Sequence, residues 1–414
     1  MFVSSASLLA PFFVSRQGGL SFIRLLLVLA SSYLLLATGQ ARALEGDTLR
    51  PFISANVGID SNLFRFSSDA QAQASTIGEP IQSVSYQRYG AGVDVDWKQG
   101  RQQVTARLAA DRTLFSRYSN LLDYTGQDLN GEWKWQLGNR WSGIASASTA
   151  RTQSPYTDIS GIVANNVVTD DKLAFQADYW LHADWRARVR LDENKRKYSD
   201  TNRQPSDSKY SIVTVGLYRQ GGMVERVGVE LTDSSGEYPN RVLSPTLDNR
   251  SEEQSVRLVA SWTLSGKSNL SGSIGQAKRT HPNVSNHDFS GMEWRLAGRW
   301  LPTGKTQVEA ALSRDLRASD TATVNNEVAD AINLSAVWQV LPKTGISGQV
   351  GYQRIDYEGS TRKDDLQTAT LSVSHEAWRG GNITVGVQHS RRDSTIALQE
   401  FSANTLFVAA NLKF

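Results

Sequence analysis

From Arg50 onward, short segments of apolar–polar alternation are joined by connections that run long, short, long, short without an exception. Segments such as 185–191 (WRARVRL), 227–231 (VGVEL), 256–262 (VRLVASW) and 332–338 (INLSAVW) show the alternation best. Successive side chains of a strand point to opposite faces, so these segments have one apolar and one polar face; a helix would need apolar spacings of three and four. The short connections, among them 99–101, 181–184, 265–267, 301–305 and 379–381, hold roughly three to six residues, and the long ones roughly 8 to 19, rich in Ser, Asp, Asn and Thr. A membrane barrel sorts its loops in this way, with tight turns in the periplasm and long loops outside, and an even strand number returns both termini to the periplasm. A soluble sandwich has no reason to do so. The pattern predicts an all-β chain: a single transmembrane antiparallel β-barrel of about 18 strands. Its first strand is expected over 51–64, and its last two over 382–389 and 405–414.

Composition bears on what such a barrel can do. A hydrophobic fraction of 40% is low for a helical membrane protein but suits a barrel, where only alternate residues meet lipid. No cysteine is present, so there is no disulfide framework, thiol nucleophile or cysteine-linked lipid anchor. Lys and Arg number 44 against 41 Asp and Glu, too even a balance for a nucleic-acid partner. Trp97, Trp135, Trp141, Trp180, Trp185, Trp262, Trp300, Trp338 and Trp378 lie within about four residues of a short turn. Tyr86, Tyr118, Tyr124, Tyr156, Tyr198, Tyr210, Tyr238, Tyr352 and Tyr357 lie beside or within long loops. Amphipathic rings collect at membrane interfaces, so two girdles are expected.

The N-terminus has a different chemistry. Arg16 and Arg24 precede the apolar run 25–37 (LLLVLASSYLLLA), and Ala41 and Ala43 flank Arg42. A charged region, a hydrophobic region and an A-x-A site in that order make 1–43 a signal peptide cleaved after Ala43. Ser31, Ser32 and Tyr33 interrupt the run, which is shorter than the ~20 residues of a spanning helix. Residues 44–50 are then a short periplasmic segment and 51–414 the barrel, placed in the outer membrane of a Gram-negative bacterium. Outer-membrane lipid and the barrel-assembly machinery are its expected partners. In the last strand Leu406, Val408, Ala410, Leu412 and Phe414 share one face. A terminal aromatic there resembles the assembly signal of outer-membrane barrels, which makes Phe414 the candidate membrane-assembly signal.

If apolar residues face lipid, the alternate set lines the lumen. It supplies Arg107, Arg186, Arg188, Arg190, Arg226, Arg257, Arg295 and Arg299 as solute-contact candidates, interspersed with acids such as Asp94, Asp178, Glu230, Glu293 and Glu309. An arginine facing lipid near the midplane would cost ~2–4 kcal/mol, so the lumen is the economical place for it. About 18 strands leave a water-filled interior. The arginines then either hydrogen-bond neighbouring wall acids or filter a charged solute. Arg186, Arg188 and Arg190 form the one single-sign ladder on a strand and, with Arg226, predict a weak local preference for anions. The third outer loop, 154–169, is apolar for a segment in water. Folded inward, its Ile159, Ile162 and Val163 would form a constriction; the alternative is that it extends its flanking strands.

Other motifs carry less. Residues 302–306 (PTGKT) and 265–268 (SGKS) resemble phosphate-loop endings, but Arg299 and Ser261 stand where the first glycine is required, and neither leads into a helix. They read as hairpin turns. His281, His287 and Asp288 share the loop HPNVSNHD, which reads as a solvated loop, with weak metal binding as the alternative. With His389 these histidines are the only ones on the outer side, and no Ser–His–acid group can be assembled. No catalytic residue, metal ligand or cofactor is expected, and a barrel hydrolase is the least favoured reading.

The opening of the first strand, 46–65 (GDTLRPFISANVGIDSNLFR), resembles that of the EpsL-type outer-membrane proteins of exopolysaccharide operons, grouped with the β-barrel porin 2 proteins. The segment 60–65 (DSNLFR) is its most specific part; the rest of the chain matches in size, strand rhythm and terminal Phe. The resemblance implies a channel or accessory component in exopolysaccharide biosynthesis and export, with polysaccharide and other export-operon proteins as partners. The lumen by itself equally supports a general diffusion porin for small solutes.

Overall fold

The computed structural model describes residues 48–156, 161, 163–221, 224–319 and 324–414. Residues 1–47, which include the expected signal peptide, and Ile159 and Ile162 lie outside the described residues. The strands are β1 (Leu49–Asp60), β2 (Val84–Gln99), β3 (Gln102–Phe115), β4 (Tyr124–Leu137), β5 (Trp141–Gln153), β6 (Val167–Trp180), β7 (Trp185–Tyr198), β8 (Ser208–Gly221) and β9 (Val224–Glu237) in the first half. The second half holds β10 (Arg250–Ser265), β11 (Ser268–Thr280), β12 (Phe289–Thr303), β13 (Thr306–Ala318), β14 (Asn326–Leu341), β15 (Thr344–Tyr357), β16 (Lys363–Trp378), β17 (Gly381–Ser394) and β18 (Phe401–Lys413). Each pairs antiparallel with the next, and β18 returns to β1 from Phe52↔Lys413 to Asp60↔Thr405, closing an 18-stranded barrel. Closure matters because an unpaired edge inside a bilayer would leave backbone N–H and C=O groups unsatisfied.

The connections sort by length between the two ends of the barrel. Even the tightest at the long end, 358–362, outruns 181–184 at the short end. Register shifts gather at the short-turn end, at Arg219/Gly221, Ser261/Trp262, Thr263/Ser265, Trp300/Thr303, Gln339/Leu341 and Glu376/Trp378. Bulges there bend the hairpins into the rim.

Several strands run further toward the long-loop end than alternation indicates. β17 extends to Ser394 and β18 starts at Phe401. The added rungs on the outward face, such as Asp365↔Asp393 and Arg391↔Ser402, are polar. Above the bilayer both faces are wet, so the pattern fades while backbone pairing continues. β1 errs the other way and stops at Asp60, because Leu63 and Phe64 owe their apolar character to a packed loop.

Outward residues form an exposed apolar belt that includes Leu108, Leu129, Phe175, Val189, Val215, Leu231, Leu258, Ile332, Val350, Leu371 and Val387. Trp97, Trp141, Trp185, Trp300 and Trp338 are exposed on the same face near the short turns. Trp180 departs from this girdle: its inward face lies beneath the Arg186 guanidinium, 5.6 Å from the ring centroid. The tyrosine girdle does not form. Tyr352 faces outward, but Tyr86, Tyr124, Tyr198, Tyr210, Tyr238 and Tyr357 follow the inward parity, and Tyr118 and Tyr156 pack within the loops. Inward tyrosines satisfy their hydroxyls on wall and loop groups, as in Tyr210–Tyr238 (2.6 Å between oxygens) and Tyr357–Asp364 (3.1 Å).

Candidate functional site

The inward parity of the strands places every lumen arginine singled out above on the inner wall. Cross-strand register then decides their partners. Arg107 meets Asp94 directly opposite, at 2.9 Å. Arg188 meets Asp178 at 2.7 Å, and Arg186 lies 3.9 Å from the same carboxylate. Arg190 turns along its own strand to Asp192 at 2.7 Å. Arg257 stands between Glu230 (3.5 Å) and Glu293 (3.6 Å), and Arg299 reaches Glu309 at 4.0 Å. The expected single-sign ladder is therefore divided: Arg190 is neutralised locally while Arg186 and Arg188 share one acid. Sequence alternation located these arginines but could not see the acids one strand away.

A second rule, invisible without register, keeps the rings of the inner wall flat. Phe52 lies directly opposite Gly92, Tyr86 opposite Gly58, Tyr210 opposite Gly236, Tyr218 opposite Gly228 and Phe407 opposite Gly386. A β-carbon at Gly92 would stand 2.6 Å from the Phe52 ring, and one at Gly228 2.5 Å from that of Tyr218. Cross-strand glycine leaves room for the ring to lie along the wall instead of projecting across the pore. Arg107 covers the exposed side of Phe52, 4.0 Å from its centroid. Tyr218 was missed by sequence reading; it is completely buried, with Arg186, Arg188 and Arg226 all within 5.6 Å of its centroid.

The mouth at the long-loop end is asymmetric. The first loop, 61–83, folds over the inward residues Val84, Tyr86, Phe115 and Tyr124. It contributes Leu63, Phe64, Phe66, Ala72, Ile77 and Ile81 to one apolar cluster with Leu122, Tyr156 and Val163. Its helix α1 (Asp69–Ala74) starts at Ser68, whose hydroxyl accepts from the Gln71 amide, while the Gln71 side chain accepts from Ser67. The segment 60–65 anchors this loop. Asp60 accepts from the Asn62 amide and pairs with Arg65 at 2.8 Å; Asn62 donates to Phe66 and, across the closing seam, to Ser402. Of the constriction candidates, Val163 packs against this cluster, and Ile159 and Ile162 are outside the described residues. Among the described residues the inward-folded segment is chiefly the first loop, with Tyr156 and Val163 of the third packed against it.

Opposite this cluster the mouth stays polar. A cavity of about 530 Å³ is lined by Tyr210, Tyr357 and several ion-paired arginines, including Arg279 with Glu253 and Arg317 with Glu327. A second, of about 460 Å³, continues down the β6–β12 wall past Arg190, Thr214, Tyr218 and Arg257. The two share Ile212, Ser234 and Glu253. A third, of about 430 Å³, sits toward the short-turn end among Arg299, Glu309, Asn333 and Gln349.

The loop 281–288 is not the solvated loop its composition indicates. His281 and Val284 are buried, and Asp248 on a neighbouring loop accepts from both the Asn283 amide (2.8 Å) and its side chain (2.9 Å). Asn325 joins the same lock through the Asp248 amide and the Thr246 carbonyl. Asp288 accepts from the His281 amide, and His389 pairs with Asn404. Among the described residues no cluster of three or more His, Asp or Glu could hold a metal ion. Residues 265–268 and 302–306 end and begin paired strands as hairpin turns.

This lock has a pH dependence. Burial, aided by the Arg279 guanidinium, holds His281 below the usual imidazole range. Burial opposes ionisation of Asp248, but hydrogen bonds from Asn283 and from the Arg250 and Asn249 amides outweigh it and keep the carboxyl below the usual range. A depressed pKa contributes stability above the unfolded-state value and loses it as pH falls. For His281 the loss begins near pH ~6.5, and for Asp248 only below ~3.9. Limited proteolysis within 238–249 and 281–288 should therefore be faster at pH 5 than at pH 7.5, and His281→Gln should flatten the difference. Equal cleavage at both pH values in the parent would show that His281 does not set the lock.

Residues 255–414, fewer than half of the chain, match the family described as "Putative beta-barrel porin 2". No curated protein matches. Among solved structures, OccK2 (OpdF) of Pseudomonas aeruginosa, crystallised with glucuronate, is similar at 10% identity and TM-score 0.48, over 88% of this chain and 98% of that one. A BenF-like porin from Pseudomonas fluorescens Pf-5 is similar at 11% and 0.49, over 88% and 99%. OccAB3 of Acinetobacter baumannii is similar at 9% and 0.45, over 88% and 99%. This chain is a closed antiparallel β-barrel of 18 strands. Within the barrel the family match opens in β10 and takes in β11–β18, which carry Arg295, Arg299 and the closing seam.

Proposed function

We propose that the protein is a passive outer-membrane channel for small polar solutes, with its long-loop end facing the outside and its short turns the periplasm. The observation that carries this is the continuity of the two polar cavities through Ile212, Ser234 and Glu253, on the side of the mouth that the first loop leaves uncovered. Barrels of this strand number hold an aqueous channel, and paired wall charges keep it wet without making it a tight binder. The exopolysaccharide role is the narrower reading, and the segment 60–65 is its support. In the fold those residues tie the first loop to the closing seam, which gives them a structural reason independent of any polymer.

Liposome swelling with purified, reconstituted barrel tests the channel. Mono- and disaccharides are expected to enter, and polymers of many sugar units to be excluded. Liposomes that stay impermeable to every solute would overturn the reading; admission of the polymer would favour the export role. Orientation is tested separately. An epitope inserted at Val242, the most exposed apolar residue of the 238–249 loop at 82%, should be reached by antibody on intact cells. One inserted at Gly266 should be reached only after the outer membrane is opened. The reverse labelling would invert the barrel.

A further inference from the structure

We propose that Tyr218, Arg186, Arg188 and Arg226 form one binding site for the carboxylate of a small solute passing through the barrel, an inference that rests on the channel reading. The site is built from register. Gly228 opposite and Gly216 two residues before clear the space into which the Tyr218 ring lies back, and a β-carbon at Gly216 would stand 2.4 Å from the phenolic oxygen. Over that ring three guanidinium carbons gather at 5.6, 5.2 and 5.3 Å from its centroid, for Arg186, Arg188 and Arg226 in turn. Their mutual repulsion is offset by the ring face and by fixed acids, but the acids do not suffice.

Asp178 is taken up by Arg188, Nε to Oδ1 at 2.7 Å and the second nitrogen to Oδ2 at 3.2 Å, with Arg186 more distant at 3.9 Å. Glu230 accepts the phenolic O–H at 2.7 Å and faces Arg257 at 3.5 Å. Three cations against two carboxylates leave a net charge of 3 − 2 = +1. The surplus falls on Arg226, whose Nε is buried without a hydrogen-bond partner, as is that of Arg186. The chemistry that completes the group is a single carboxylate, because the planar guanidinium fork takes two oxygens at once, as Arg188 takes those of Asp178. Of the four, Arg188 and Tyr218 line the cavity on the β6–β12 wall, which sets the group beside the proposed path.

Two measurements on one purified preparation test this. Lactate binding to the barrel in detergent is followed by saturation-transfer NMR, and single-channel currents are recorded in lactate and in chloride. The parent should bind lactate and not its neutral methyl ester. Arg226→Gln should raise the half-saturation concentration about tenfold, as expected when one charge-assisted hydrogen bond to the carboxylate is removed. Arg226→Lys should keep the ion selectivity of the parent but recover little of the lactate binding, because it keeps the charge and loses the fork. Tyr218→Leu, which removes the ring, should weaken binding as Arg226→Gln does. Equal lactate binding by parent and Arg226→Gln would overturn the site, as would equal binding of the methyl ester. Phosphate binding as tight as lactate, and abolished in the same variants, would overturn the carboxylate assignment in favour of any oxyanion. A barrel that binds lactate but carries no current would overturn the channel reading and leave the site standing.

Discussion

Excising 66–81 and bridging Arg65 to Gln82 with a short Gly-Ser linker is expected to raise single-channel conductance severalfold. The segment brings Phe66, Ala72, Ile77 and Ile81 into the mouth, where they pack over inward residues of β2, β3 and β4. Removing it uncovers that half of the aqueous cross-section. The barrel should survive, because no rung of the β1–β2 ladder, from Leu49↔Val95 to Asp60↔Val84, belongs to the excised piece. The expense is local: burying a Phe side chain is worth ~1.5–3 kcal/mol, and Phe115 and Tyr124 lose their cover. Asp60, Asn62 and Arg65 stay, so the seam contact to Ser402 is kept. Conductance equal to the parent, in a variant that still migrates as a heat-modifiable barrel, would place the loop outside the conduction path.

Phe414→Asp is expected to cut the level of assembled, heat-modifiable barrel in cells by an order of magnitude or more, while spontaneous refolding into bilayers changes little. Parity groups Phe414 with Leu406, Val408, Ala410 and Leu412, and its amide donates to the Pro51 carbonyl at 2.9 Å as the last hydrogen bond of the β1–β18 seam. The substitution leaves that amide in place. A charge near the interface costs only ~0–1 kcal/mol, so thermodynamics alone predicts a small effect. A large loss confined to cells would identify the side chain as what the assembly machinery reads. Parallel losses in cells and in bilayers would make it a structural contact, and unchanged levels in cells would remove it as a signal.

How much of this was legible beforehand follows from which interactions are local. Alternation along a strand is a property of neighbouring residues, so 185–191 declared both its strand and its arginine-bearing face. The sorting of connections by length declared the hairpin order, and an even count of antiparallel strands allowed closure. Pairing across strands is not local. That Asp178 neutralises Arg188, that Arg190 is taken by Asp192, and that Tyr218 lies over Gly228 all depend on register. A slip of one residue would send each side chain to the other face.

Loops were harder still, because composition reports polarity and not company. The polar string at 281–288 looked solvated and is fastened by Asp248 and Asn325 from two other loops. Leu63 and Phe64 looked like the end of a strand and are the start of the cluster in the mouth. The inward tyrosines looked like a membrane girdle because proximity to a loop does not say which face a ring takes. The sequence alone determined that this chain alternates, turns and closes, since each of those follows from side-chain period and chain continuity. The tertiary structure decided where the mouth is covered, which charges are cancelled and which arginine is left with a surplus, since those depend on residues brought together only when the barrel shuts.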